Sequence, residues 1–232
     1  MSQVDITEEE YKQFDEQLTK VNDEILANLN SPEWKFSKDE ADGCKIYVRH
    51  VADSSYDMIK ATISIPVSQR DALEAIKPCK EITPKTPKAE NEGLLERKIF
   101  NYDEKDPSAR AFIYCSTPSP FPLVAGRDFL LYRKVIEKDD KLCYTHTSVV
   151  CDKIMPQKKG FVRGLMKQQA FIFEKDPSNP EHTLLSFILH TEIGGSIPTF
   201  AYNMAAVGQG KSVIELRKRA IEYVKNNSNK AE

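Results

Sequence analysis

Apolar side chains recur at steps of three and four from Tyr11 through Phe14, Leu18, Val21 and Ile25 to Leu29, the period of one helix face. Thr7, with Glu10 three residues on, makes a capping box that starts this helix. Asn30-Ser31-Pro32 ends it. Its other face is charged, so it is expected to pack on one side only, against a sheet. The period then changes to two. Strands are predicted over 34–37 and 44–51, around an Ala41-Asp42-Gly43 turn, and over 58–65, closed by Pro66. Ser68 is placed to N-cap a short helix over 68–77. Residues 78–93 hold Pro78, Pro84, Pro87 and many charges, and read as loop. Further strands are predicted over 94–102, 109–117, 128–137, 142–151, 161–174 and 183–193. Strands joined by turns with no helix between them pair antiparallel.

Gly194-Gly195 lets the chain turn with positive φ after the last strand. Pro198 is placed where a helix can begin. From there Phe200, Asn203, Met204 and Val207 share a face of a long C-terminal helix that runs to about residue 224. Gly208 and Gly210 fall inside it, each costing about 1 kcal/mol relative to Ala; they are expected to soften or kink it. The fold expected is α+β, a curved nine-stranded antiparallel sheet closed by the C-terminal helix. A single domain over 1–232, ordered over about 7–224, accounts for the pattern, and no internal repeat is evident.

Composition narrows the function. The formal net charge of −2 gives no global pull toward nucleic acid. Cys44, Cys79, Cys115, Cys143 and Cys151 contain no CxxC and no His at metal-ligand spacing, so no metal is expected. The odd cysteine count and the acidic N-terminus (Asp5, Glu8, Glu9, Glu10) point to reduced thiols and a cytoplasmic protein. No apolar run approaches the roughly 18 residues of a membrane span. His50, His146, His182 and His190 have no evident catalytic partners beyond Cys115 or Cys143 beside His146, and those thiols are as readily core. Residues 205–212 (AAVGQGKS) lack the first glycine and the preceding strand of a phosphate loop.

Gly126-Arg127-Asp128-Phe129, at the start of a strand, resembles the RDF/RDY signature of the START (steroidogenic acute regulatory-related lipid transfer) family. Residues 192–198 (EIGGSIP) with Asn203 resemble the family's acid-x-x-Gly-x-x-Pro turn and helix asparagine. The order of elements is similar too, and the likeness spans about 7–224. Pro120-Phe121-Pro122 ahead of Arg127 looks most like the phosphatidylcholine transfer protein branch. Two departures stand out. The family's Arg-x-x-Trp-Asp helix is replaced by the 78–93 loop, and Tyr114 stands where sterol-type members place an acid opposite a buried arginine. The resemblance implies a helix-grip fold that binds one lipid, a phospholipid first of all, in an internal cavity and transfers it between membranes. It implies a monomer with no cofactor and no catalysis, touching membranes peripherally from the cytoplasm. The alternatives are a sterol or ceramide binder or a lipid sensor without transfer, and then a cavity enzyme.

Alternation puts Phe129, Leu131, Arg133 and Val135 on one face, expected to look inward. Arg133 then needs an acceptor, since a lone buried charge is too costly. That acceptor is either a lipid phosphate or hydroxyl or an internal acid, unless the side chain reaches the rim. By resemblance, Arg133 matches a cavity arginine of sterol-type members. Tyr114 and Phe112 share parity and are candidate ligand contacts, Tyr114 through its phenol; ordinary packing in the sheet is the other reading. Asn203 either meets the ligand or ties the helix to a loop. Phe200, Met204 and Val207 are expected to line the cavity from the helix. Arg127 and Asp128 read as a structural pair at the strand entrance. Met155, Lys158 and Lys159, within a basic stretch that includes Lys153, Arg163 and Lys167, form a candidate membrane-docking edge or simply a solvated face.

Overall fold

The computed structural model describes residues 1–119, 124–195, 203 and 206–229. The first helix, α1 (Glu8–Asn28), starts at the expected capping box: Glu10 N donates to Thr7 Oγ1 (3.2 Å) and Thr7 N to Glu10 Oε2 (2.8 Å). There follow β1 (Lys35–Asp39), β2 (Lys45–Arg49), β3 (Met58–Ile65) and α2 (Gln69–Ile76), the last capped by Ser68. Then come β4 (Glu96–Phe100), β5 (Ala111–Thr117), β6 (Gly126–Lys138), β7 (Lys141–Ser148), β8 (Phe161–Arg163), β9 (Leu165–Asp176), β10 (Asn179–Glu192) and α3 (Ser212–Ser228).

The strands form one sheet in the order β1-β2-β3-β10-β9-β7-β6-β5-β4. Every pairing along it is antiparallel, and β8 runs parallel beside β6. That tenth strand arises where one was expected over 161–174. The chain divides at Gly164, whose N–H donates to Asp128 O. A Cβ there would lie 2.3 Å from the Phe129 ring, so only glycine lets the chain cross at that point.

The two faces of the sheet bury different helices. On the outer face α1 lays Phe14 and Leu18 on Phe112, Leu130 and Tyr132, and Ile25, with Leu29 just past the helix end, on Ala170, Ile172 and Ile188. On the inner face, Ile46, Ala61, Ile63, Phe173 and Leu185 pack with Leu73 and Ile76 of α2 and Val213 and Ala220 of α3.

The C-terminal helix is interrupted. Residues 206–209 are helical, and then Gly210 N donates to Val207 O, Lys211 N to Gly208 O and Ile214 N to Lys211 O, all i to i−3 bonds. α3 begins after this joint with no side-chain cap. Gly210 lies against β2 and β3, where a Cβ would come 3.1 Å from Ile46 Cδ1. Its lack of a side chain is therefore used for close approach. Pro198 lies outside the described residues.

Candidate ligand site on the inner face of the sheet

Strand register sets the candidate site. Ile113, Phe129, Leu131 and Ile193 form one inward apolar cluster, with Tyr56, Cys79, Cys115 and Met166 packed on it. The cluster beneath α2 and α3 is the other. Arg133 pairs with His146 across β6 and β7, and His146 with Gln169 across β7 and β9. This makes a polar row on an otherwise oily face. Phe171 stands at the centre of the sheet, between Tyr144 and Phe187, yet is only half-buried, as are Gln169, Met166 and Val207. A solidly packed interior would leave central positions no accessible surface.

Arg133 is 2% exposed. Its guanidinium lies 5.3 Å from the Tyr102 ring centroid and 5.2 Å from that of Tyr144. Its Nε and Nη2 are buried without a hydrogen-bond partner. Among the described residues no carboxylate pairs with it. Residues 120–123 and 196–205 contain no Asp or Glu to supply one. Arg97 makes the contrast. It faces inward from β4 opposite Cys115, but it is ion-paired with Glu92 and donates to Lys80 O (3.2 Å). His146, beside Arg133, is held neutral: burial, then the Arg133 charge, push it down to about 3. Its Nδ1 is also buried without a partner.

Other expected site residues fall elsewhere. Tyr114 pairs with Leu130 and Phe112 with Tyr132, which puts both on the outer face, opposite to Phe129, Leu131 and Arg133. Phe112 packs edge-on to Phe14, centroids 5.2 Å apart, and Tyr114 is fully buried in the same cluster. The grouping of Phe112 and Tyr114 with Arg133 is therefore corrected by the register of β5 on β6. Asn203 uses both ends of its amide on Asp57: Nδ2 donates to Asp57 Oδ2 (3.0 Å) and Asp57 N donates to Asn203 Oδ1 (3.2 Å). It ties residue 203 to the β2–β3 loop. Val207 packs on the inner cluster. Phe200 and Met204 lie outside the described residues.

Arg127 and Asp128 are structural, though not paired with each other. Arg127 donates to Ile193 O (3.2 Å), Gly194 O (2.8 Å) and Ala125 O. Asp128 accepts two bonds from Arg163, 3.0 and 3.1 Å. The two glycines of the turn have φ of 57° and 68°, and a Cβ on Gly195 would lie 2.8 Å from Arg127 Nη2. The two short motifs of the sequence are thus halves of one joint. In the basic stretch, Lys153 sits on Glu10, Lys158 on Glu96, Arg163 on Asp128 and Lys167 on Glu192. Lys159 is exposed, while Met155 is half-buried against the α1-side cluster. Most of that positive charge is locally neutralised, which weakens it as a docking edge.

His146, Gln169, Tyr102 and Tyr144 are the site residues the sequence reading missed. His146 and Tyr144 share parity on β7, a signal visible once β7 is paired with β6. Cys143 faces outward, away from His146, and burial pushes the Cys115 and Cys143 thiols up to about 12. A thiol at that value is protonated and a poor nucleophile. Among the described residues no three His, Cys, Asp or Glu gather to hold a metal, and no helix is long and apolar enough to cross a membrane.

Comparison with known proteins agrees with this fold. The START domain model matches residues 104–226. No curated protein matches the chain in sequence. Human StAR-related lipid transfer protein 5 superposes with a TM-score of 0.70 at 18% identity, over 91% of this chain and 98% of that one. Human STARD10 gives 0.64 at 15% identity, over 97% and 84%. A STAR-related lipid transfer protein from Xanthomonas axonopodis gives 0.61 at 18%, over 81% and 98%.

Proposed function

The chain belongs to the START domain family, and on that premise we propose that it holds one lipid between the inner sheet face and the C-terminal helix and carries it between membranes. The observation that carries this reading is Arg133, buried on an oily face with two guanidinium nitrogens unmatched among the described residues. A phospholipid is the favoured cargo because its phosphate offers several acceptors to a guanidinium. The acyl chains lie along Phe129, Leu131 and Ile113 and beneath Val207. Each buried CH₂ contributes about 0.8 kcal/mol, much as the bilayer does, so the site has only to match the membrane. No bond is made or broken. The protein works as a monomer in the cytoplasm, meeting membranes at their surface.

The test is transfer of a fluorescent phospholipid from quenched donor vesicles to acceptor vesicles. A rate that rises in proportion to protein concentration is expected. A rate no greater than that of vesicles alone contradicts transfer.

A further inference from the structure

We infer that the lipid head is a net anion with no cation of its own, a carboxylate or phosphomonoester, buried against Arg133 and His146; this rests on the lipid reading above. Charge selects the head. Arg133 brings one positive charge onto a face where, among the described residues, no carboxylate meets it. The Tyr102 and Tyr144 rings flank it without neutralising it. A sterol hydroxyl would accept a hydrogen bond but leave the charge unbalanced. A zwitterionic head would balance it and then bury an ammonium that needs acceptors or an aromatic cage. The neighbouring rings are already turned to the guanidinium. The exposed acid Glu92, on the loop before β4, is taken by Arg97, and Glu74, on α2, is taken by Lys77 at 2.7 Å.

A lone anion meets every requirement. Its oxygens accept from Nε and Nη2 of Arg133, the two orphaned donors. His146 Nδ1 and the half-buried Gln169 amide lie in the same cross-strand row to take the remaining oxygen or acid proton. The acyl tail then runs from the polar row into the Phe129–Leu131 cluster. The head enters deepest, and the tail fills the space behind it.

The test uses the full chain and phosphatidylcholine vesicles doped with equal mole fractions of oleate, phosphatidic acid and cholesterol. Protein is re-isolated and its lipids extracted and quantified. Oleate or phosphatidic acid should be enriched at least about tenfold over phosphatidylcholine and cholesterol, relative to the vesicle composition. Arg133→Met should lose that enrichment while keeping its total lipid load, and Arg133→Lys should keep most of it. If Arg133→Met fails to fold, the wild-type preference and that of His146→Gln, which should be weakened, decide. Wild-type protein loaded mainly with phosphatidylcholine or cholesterol overturns the anionic head and leaves the lipid reading standing. No lipid from any vesicle overturns both. A parallel incubation with inorganic phosphate that gives tight retention without lipid assigns the site to a free anion and overturns the lipid source.

Discussion

Arg97 and Arg133 face the same side of the sheet, and among the described residues only Arg97 of the two has a protein acid. In the lipid-free protein Arg133 is therefore a source of instability as well as of affinity. Arg133→Met, similar in volume and apolar, should stabilise the delipidated protein by about 1–4 kcal/mol, read as a higher urea midpoint. An unchanged or lower midpoint would mean the charge is already compensated. His146 gives a pH signature. Its folded value, about 3, lies below its ordinary 6.5, so the unfolded chain takes a proton that the folded one refuses. The stability it contributes is complete above pH 6.5 and falls as pH drops below that, until the folded group itself titrates near 3. The slope approaches about 1.4 kcal/mol per pH unit. His146→Gln should flatten the stability curve between about pH 6.5 and 5, before the carboxylates titrate. His190, also pushed down by burial, should leave a residual slope.

Two joints hold the C-terminal part of the molecule. The first locks Arg127, at the start of β6, to the carbonyls of residues 193 and 194. Gly195→Ala places a side chain against Arg127 at a φ of 68°, and should cost about 1–2 kcal/mol from backbone strain alone, measured by chemical denaturation. The second is the turn at Gly210 and Lys211, where i to i−3 bonds and an uncapped start leave α3 weakly coupled to residues 206–209. Amide exchange should be faster over 208–212 than over 214–224, and uniform protection through the whole span would contradict the joint. The elements themselves were legible. The capping box, the Ser68 cap, the period-two strands and the Gly-Gly turn are local chemistry, and each stands where its residues put it. The split at Gly164 was not legible, because its cause is the Phe129 ring on another strand.

The curved sheet with a helix across its concave side follows from the order of elements and could be read from the chain. The site was only half legible. Alternation along β6 gave Phe129, Leu131 and Arg133 one face, which the register bears out. It misassigned Phe112 and Tyr114 because parity across the 118–125 connection depends on a register that no local pattern fixes. The isolation of Arg133 was beyond reach for the same reason: it is a property of every strand's register at once. The partners of Arg127, 66 residues away at Ile193, are equally non-local. Lipid binding requires space inside the fold. Native mass spectrometry of the full chain after incubation with phospholipid vesicles tests this most directly. A single added mass of one lipid per chain is predicted, and a spectrum of bare protein alone would contradict it.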